Sequence, residues 1–158
     1  MLNIRRAAHD DIPALCDLSG AIQEGHREAH PGYFKPHEVT PMMAAEYEAQ
    51  LADANTYVYI GEVDGMVVGQ IIAQIVDRPE NSYQYAVRSL YIAEMGVFRE
   101  HRSAGYGEQL MQQAFELAKS LSISRVILNV WAFNERAIAF YERQGFKIRD
   151  MRMEVQIT

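Results

Sequence analysis

The stretch from His101 to Met111, HRSAGYGEQLM, sets Gly105 and Gly107 two positions apart, behind Arg102 and ahead of an apolar-periodic run. From Glu108, EQLMQQAFELAKSL brings Leu110, Ala114, Leu117 and Leu121 to one face with Met111, Phe115 and Ala118 beside them, which predicts a helix. The glycines therefore stand at a helix N-terminus, where backbone N–H groups lack intrahelical partners and the helix dipole favours an anion. Both glycines admit close backbone approach, and Arg102 adds a charge-assisted donor. The same turn also reads as a plain strand-to-helix connection whose glycines only relieve strain.

Three phosphate motifs compete for it. A Walker-type loop requires Lys and then Ser or Thr directly after its last glycine, whereas Gly107 is followed by Glu108 and Gln109. A dinucleotide fingerprint requires an acidic residue about 20 positions on, and the strand in that place, VILNVW, has none, which disfavours a nucleotide-binding oxidoreductase. The third pattern, Arg-x-x-Gly-x-Gly, is matched by Arg102, Gly105 and Gly107.

Working outward, a short strand at Leu2 to Arg5 precedes a helix with Asp10 or Asp11 as N-cap, Pro13 in its first turn, and Ile12, Leu15, Leu18 and Ile22 at helical spacing. GHREAHPGYFKPHEV has no period and reads as a loop, and Thr40-Pro41 opens a second helix to about Ala52. Asp64-Gly65 joins two strands in a tight hairpin, and Val87 to Val97 forms the strand that leads into the glycine turn. Beyond the third helix, SRVILNVWAF predicts a strand, NERAIAFYERQGF a helix ended by Gly145, and MRMEVQI a closing strand. The order implies one α/β (α+β) domain over residues 1–158, with a mixed sheet flanked by helices.

Almost the whole chain resembles the GCN5-related N-acetyltransferase (GNAT) family. LYIAEMGVFREHRSAGYGEQLM carries the glycine turn, and LNVWAFNERAIAFYERQGF carries a second signature at Asn134, Tyr141, Gly145 and Phe146. The resemblance implies a mostly antiparallel twisted sheet and acetyl-coenzyme A (acetyl-CoA) as cosubstrate, without a metal. It implies that the pyrophosphate meets the backbone of Arg102, Ser103, Ala104, Gly105, Tyr106 and Gly107, that the pantetheine arm pairs with the backbone of Met95 and Val97, and that Asn134 touches the cofactor. The Val97 N–H is then placed to polarise the thioester. Asn134 also reads as a simple N-cap, and Met95 and Val97 as core.

Tyr141 matches the family's general acid, since a phenol near pKa 10 can share a proton with a departing thiolate; as an aromatic in AIAFYERQGF it also reads as core. Many family members carry a glutamate where this chain has Ala93, and the nearest carboxylate is Glu94. Alternation sets Glu94 with Leu90 and Ile92 unless a bulge changes the parity, so it is either the base or a paired structural acid. His30 is a rival base, and Tyr33, Phe34, Trp131, Tyr83 and Tyr85 are candidates to line an acceptor pocket. The implied acceptor is a primary amine of a small molecule or a peptide, selected by the segment Glu24 to Val39 and the loop Asp77 to Ala86. The missing glutamate at Ala93 motivates an alternative, a non-catalytic acyl-CoA sensor or interaction module on the same fold.

Composition narrows the classes. A net charge of -6 argues against nucleic-acid and anionic-membrane partners. Nearly half the residues (49%) are hydrophobic, enough for a core, yet no run reaches the ~18–20 apolar residues of a membrane span, and the N-terminus lacks a signal-peptide h-region. The single cysteine, Cys16, excludes a disulfide framework, so a cytoplasmic location is expected. The family's dimeric members leave a homodimer open.

Overall fold

The computed structural model describes residues 1–157. Its strands are β1 (Asn3–Arg6), β2 (Thr56–Val63), β3 (Met66–Arg78), β4 (Val87–Val97) and β5 (Val126–Leu128); its helices are α1 (Ile12–Ala29), α2 (Pro41–Ala52), α3 (Tyr106–Ser120) and α4 (Glu135–Arg143). The β2–β3 hairpin turns through Asp64 and Gly65, both at positive φ (50° and 78°), the pair of left-handed residues that matches the twist of two joined strands. β3 is buried from Val68 to Ala73 without alternation, which marks a strand covered on both faces.

The five strands lie in sequence order, β1-β2-β3-β4-β5. All neighbours pair antiparallel except β4 and β5, which are parallel, so the expected mixed, mostly antiparallel sheet is found. Ile71, Ala73, Leu90, Ile92 and Val97 pack on one face beneath Leu110, Met111, Ala114 and Leu117 of α3. Val58, Ile60 and Ile72 pack on the other beneath Ile12, Leu15 and Cys16 of α1 and Tyr47 of α2. Gly96 fixes how close α1 comes, because a Cβ there would stand 2.3 Å from Ile22 Cδ1.

Some boundaries differ from the sequence reading. α1 continues through Gly25 to Ala29: Gly25 faces open space, and an Arg27–Glu24 ion pair braces the last turns, so the ~1 kcal/mol helix cost of one glycine is tolerated. The strand expected over SRVILNVWAF is confined to Val126–Leu128. The expected closing strand at MRMEVQI does not form: residues 147–157 are exposed throughout and have no strand partner.

β1 is tied to the start of α1 by charge. Arg5 donates to both carboxylate oxygens of Asp11 (2.7 and 2.8 Å) and to Glu62 Oε1 (2.6 Å), while the Ala8 N–H donates to Asp11 Oδ2 (2.7 Å). These bonds, the Arg5 contact first, hold the Asp11 carboxyl below its ordinary value of 3.8. A depressed carboxyl stabilises the fold above its unfolded pKa and loses that contribution as pH falls. Asp11→Asn is therefore expected to cost about 1 kcal/mol at pH 7, because Arg5 is partly solvated, and to lower the melting temperature by about 2–4 °C. Melting curves at stepped pH should show the gap closing as pH falls below 3.8.

Candidate active site

In the β3–β4 register, Ile72 faces Glu94 and Ala73 faces Ile92, leaving Ala93 as an extra residue on β4. This bulge reverses the alternation. Leu90 and Ile92 belong to the α3 face, and Met95 and Val97 pack there too, whereas Glu94 turns to the α1/α2 face. The grouping of Glu94 with Leu90 and Ile92 expected from strict alternation is thus corrected by one inserted residue.

The bulge also marks where the sheet parts. β5 pairs with β4 only over Leu90–Ile92, while β4 runs on to Val97 along β3. From Ala93 to Val97 the β5 side of β4 has no strand partner among the described residues. Backbone donors and acceptors on that side are taken up by no strand among the described residues, a setting in which an extended ligand can pair as a strand does.

At the end of β4 the chain turns through Arg99–His101 into α3. Ser103 (φ 67°) and Gly105 (φ 78°) are left-handed, and Gly105 is the N-cap of α3. The N–H groups of Ser103, Ala104 and Gly105 have no partner among the described residues, and a Cβ on Gly105 would meet nothing within 4 Å. The cradle is therefore open to solvent and rimmed by unpaired donors. Arg102 is anchored by its Nε donating to the Val97 carbonyl (2.9 Å). Burial, and then Arg136 and Arg99, hold the Arg102 guanidinium below its ordinary pKa, so three arginines crowd one turn of a chain whose net charge is -6. Arg136, in the first turn of α4, was not singled out in the sequence; its only signal was a basic residue two positions after Asn134. Such a cluster is suited to a multiply charged anion.

Asn134 caps α4, its Oδ1 accepting from the Ala137 N–H (3.2 Å). Tyr141 is half-buried on the α3 side between Phe140 (5.4 Å, centroid to centroid) and Phe146 (5.7 Å). Burial raises its pKa, so the phenol carries its proton at neutral pH. Gly107 lies beneath Met95 and Phe140, where a Cβ would be 3.4–3.5 Å from both, which joins the cradle to α4 and β4.

Glu94 sits in a polar cluster within the α1/α2 layer. Its carboxylate accepts from Ser19 Oγ (3.1 Å) and Gln70 Nε2 and lies 3.3 Å from the Tyr47 hydroxyl, which is also 3.2 Å from the Leu15 carbonyl and accepts from Gln70 Nε2 (3.0 Å). Burial raises the Glu94 pKa against the opposing pull of these bonds, and burial beside Glu94 raises that of Tyr47. Glu94 and Tyr141 thus flank β4 from opposite faces.

A second wall is aromatic. His30, Tyr33 and Phe34 meet Trp131 and Phe133, with ring centroids 4.8–6.1 Å apart, and His26 lies 5.2 Å from Phe34. Burial lowers the pKa of His26, whose Nδ1 has no partner among the described residues. His37 inserts its ring over Gly20, where a Cβ would lie 2.0 Å from Nε2, and so docks residues 31–39 on α1. Tyr83 and Tyr85 stand apart, 96% and 85% exposed beyond the other end of β4, and do not join this cluster. Among the described residues no three His, Cys, Asp or Glu side chains are grouped to hold a metal ion.

Comparison with known proteins matches residues 21–146 to the Acetyltransferase (GNAT) family. An N-alpha-acetyltransferase from Sulfurisphaera tokodaii is 30% identical over 147 residues, covering 91% of this chain and 79% of that protein. Other relatives match over a smaller part, so that the chain spans about half of their length (48% and 45%). Among solved structures, a mutant of the BH1408 protein from Bacillus halodurans has the same fold at 20% identity (TM-score 0.91, covering 98% of this chain and 99% of that one). A Clostridium acetobutylicum protein described as a predicted acetyltransferase and solved with acetyl-CoA has a TM-score of 0.74 at 20% identity, over 99% of this chain and 96% of that one.

The buried carboxyl has a pH signature. A carboxyl raised above its unfolded value of 4.5 contributes most below pH 4.5, and that contribution is lost as pH rises through the folded pKa. Glu94→Gln is expected to match wild type near pH 4 and to become progressively more stable than wild type as pH rises. Thermal melts from pH 4 to 8 check this, and a difference that does not vary with pH contradicts it.

Proposed function

The chain belongs to the acetyltransferase (GNAT) family, and from that premise we propose that it transfers an acetyl group directly from acetyl-CoA to a primary amine. The observation that carries the donor assignment is the open cradle of unpaired N–H groups at the start of α3, ringed by Arg99, Arg102 and Arg136 and continuous with the unpaired side of β4. When bound, acetyl-CoA supplies the acetyl group and a thiolate leaving group. The backbone of residues 102–107 holds its pyrophosphate, the Met95 and Val97 backbone holds its pantetheine arm, and Asn134 contacts it while capping α4. The Val97 N–H polarises the thioester carbonyl.

The amine nitrogen attacks the acetyl carbon and the carbon–sulfur bond breaks. Tyr141, held protonated by burial, gives its proton to the departing sulfur, and Glu94 takes a proton from the attacking amine. A carboxyl whose pKa is raised toward neutrality is a better base than an ordinary one. The acceptor enters past the aromatic wall of Tyr33, Phe34 and Trp131, whose rings favour a cationic or peptidic amine. A cytoplasmic location, without a metal, completes the reading.

Release of free thiol from acetyl-CoA across a panel of small amines, polyamines and peptides tests the proposal; binding of acetyl-CoA without turnover on any amine would instead mark an acyl-CoA-binding module. In the same assay Tyr141→Phe is expected to lower kcat by about 10²-fold with little change in the KM for acetyl-CoA. Gly105→Val puts a β-branched side chain at φ 78° into the open cradle, so it is expected to fold yet lose acetyl-CoA binding by calorimetry at least ~10-fold.

A further inference from the structure

Four elements converge on one carboxylate. Ser19 comes from α1, Tyr47 from α2 and Gln70 from β3, and they meet Glu94 where β4 leaves its bulge. Ser19 Oγ donates to Oε2 (3.1 Å), which leaves Oε1 to Gln70 Nε2 and the Tyr47 hydroxyl (3.3 Å). All three partners are buried and none carries a charge, whereas a carboxylate enclosed this far is ordinarily paired with a cation. Tyr47 is the one titratable group among them, and burial beside Glu94 keeps its phenol protonated and able to donate.

The Tyr47 proton has two places to go. The hydroxyl accepts from Gln70 Nε2 (3.0 Å) and lies within reach of two acceptors, Glu94 Oε1 (3.3 Å) and the Leu15 carbonyl (3.2 Å). With Glu94 ionised, the proton points at the carboxylate; once Glu94 is protonated, rotation about the phenol C–O bond sends it to Leu15. Gln70 has the same latitude. Its Oε1 is buried without a partner among the described residues, and turning the amide over presents that oxygen to a protonated carboxyl. The Tyr47 ring itself is packed among Ile12, Leu15, Val58 and Ile60, so the oxygen stays in place while the proton moves. The cluster thus has one bonding arrangement for the carboxylate and another for the acid, which a group that gains and loses a proton in each turnover requires.

We propose that Tyr47 is the positioning residue for Glu94: its hydroxyl fixes Oε1 and stabilises the ionised form that takes the amine proton, without touching the substrate itself. This rests on the reading of Glu94 as the base.

Tyr47→Phe keeps the packed ring and removes only the hydroxyl, so the variant is expected to fold. Thermal melts from pH 4 to 8, run on wild type, Tyr47→Phe, Glu94→Gln and the double variant, measure the coupling without any turnover. The loss of stability in Tyr47→Phe should grow as pH rises and Glu94 ionises, and should stay constant where Glu94 is already Gln. In the amine assay Tyr47→Phe should lower kcat about 10-fold on the acid side of the pH profile. The rate should recover toward wild type at higher pH, with the KM for acetyl-CoA unchanged. A stability loss that does not vary with pH, or a rate lowered equally at every pH, would make Tyr47 a packing residue and overturn the proposal. Glu94→Gln inactive beside a Tyr47→Phe enzyme with the wild-type profile overturns the positioning role and leaves the base in place. Wild type without turnover on any amine, or Glu94→Gln at the full wild-type rate, removes the base and the proposal with it.

Discussion

The extra residue at Ala93 is the constraint on which the rest depends. A sheet that continued β4–β5 pairing to Val97 would be closed, with no free backbone along the end of β4. Inserting one residue does two things at once: it ends the parallel pairing after Ile92 and changes which face each later side chain takes. Glu94 goes to the α1/α2 layer, while Met95 and Val97 go to the α3 layer. The parted strands leave the end of β4 without a strand partner on one side, with Glu94 on the α1/α2 face of β4 and Tyr141 of α4 on the α3 face.

Electrostatics then marks the end of β4. At the end of β4, unpaired amides, left-handed turns at Ser103 and Gly105 and the positive end of α3 coincide with Arg99, Arg102 and Arg136. An anion bound there would offset the mutual repulsion among the arginines. Rings from the α1 terminus and from the β5–α4 loop form an aromatic wall, docked in part by His37 against Gly20.

Much of this was legible in the sequence. The bounds of β4, the α3 helix, the Asp64-Gly65 hairpin and the glycine turn each carry a local signal, through periodicity or φ preference, that needs no tertiary context. What escaped is non-local. A bulge leaves no trace in a hydrophobic pattern, so alternation alone groups Glu94 with Leu90 and Ile92, and only the bulge allowed for as the alternative puts it on its observed face. Arg136 acquires meaning only when α4 brings it to Arg102, and Gly25 reads as a break until an exposed helical site proves able to hold it. The alternation at Met151–Ile157 predicts a closing strand that does not form, because a strand needs an edge to pair with and a local pattern does not supply one.

The central claim is that the turn after β4 holds the pyrophosphate of acetyl-CoA. The most direct test is the melting temperature of the protein with acetyl-CoA, coenzyme A, NAD or no ligand. At 100 times its dissociation constant a native-state ligand adds about 2.7 kcal/mol, which for a chain of this size raises the melting temperature by about 5–10 °C. The account predicts that rise with both coenzyme A forms and none with NAD. No rise with either coenzyme A form, or a rise with NAD alone, would contradict it.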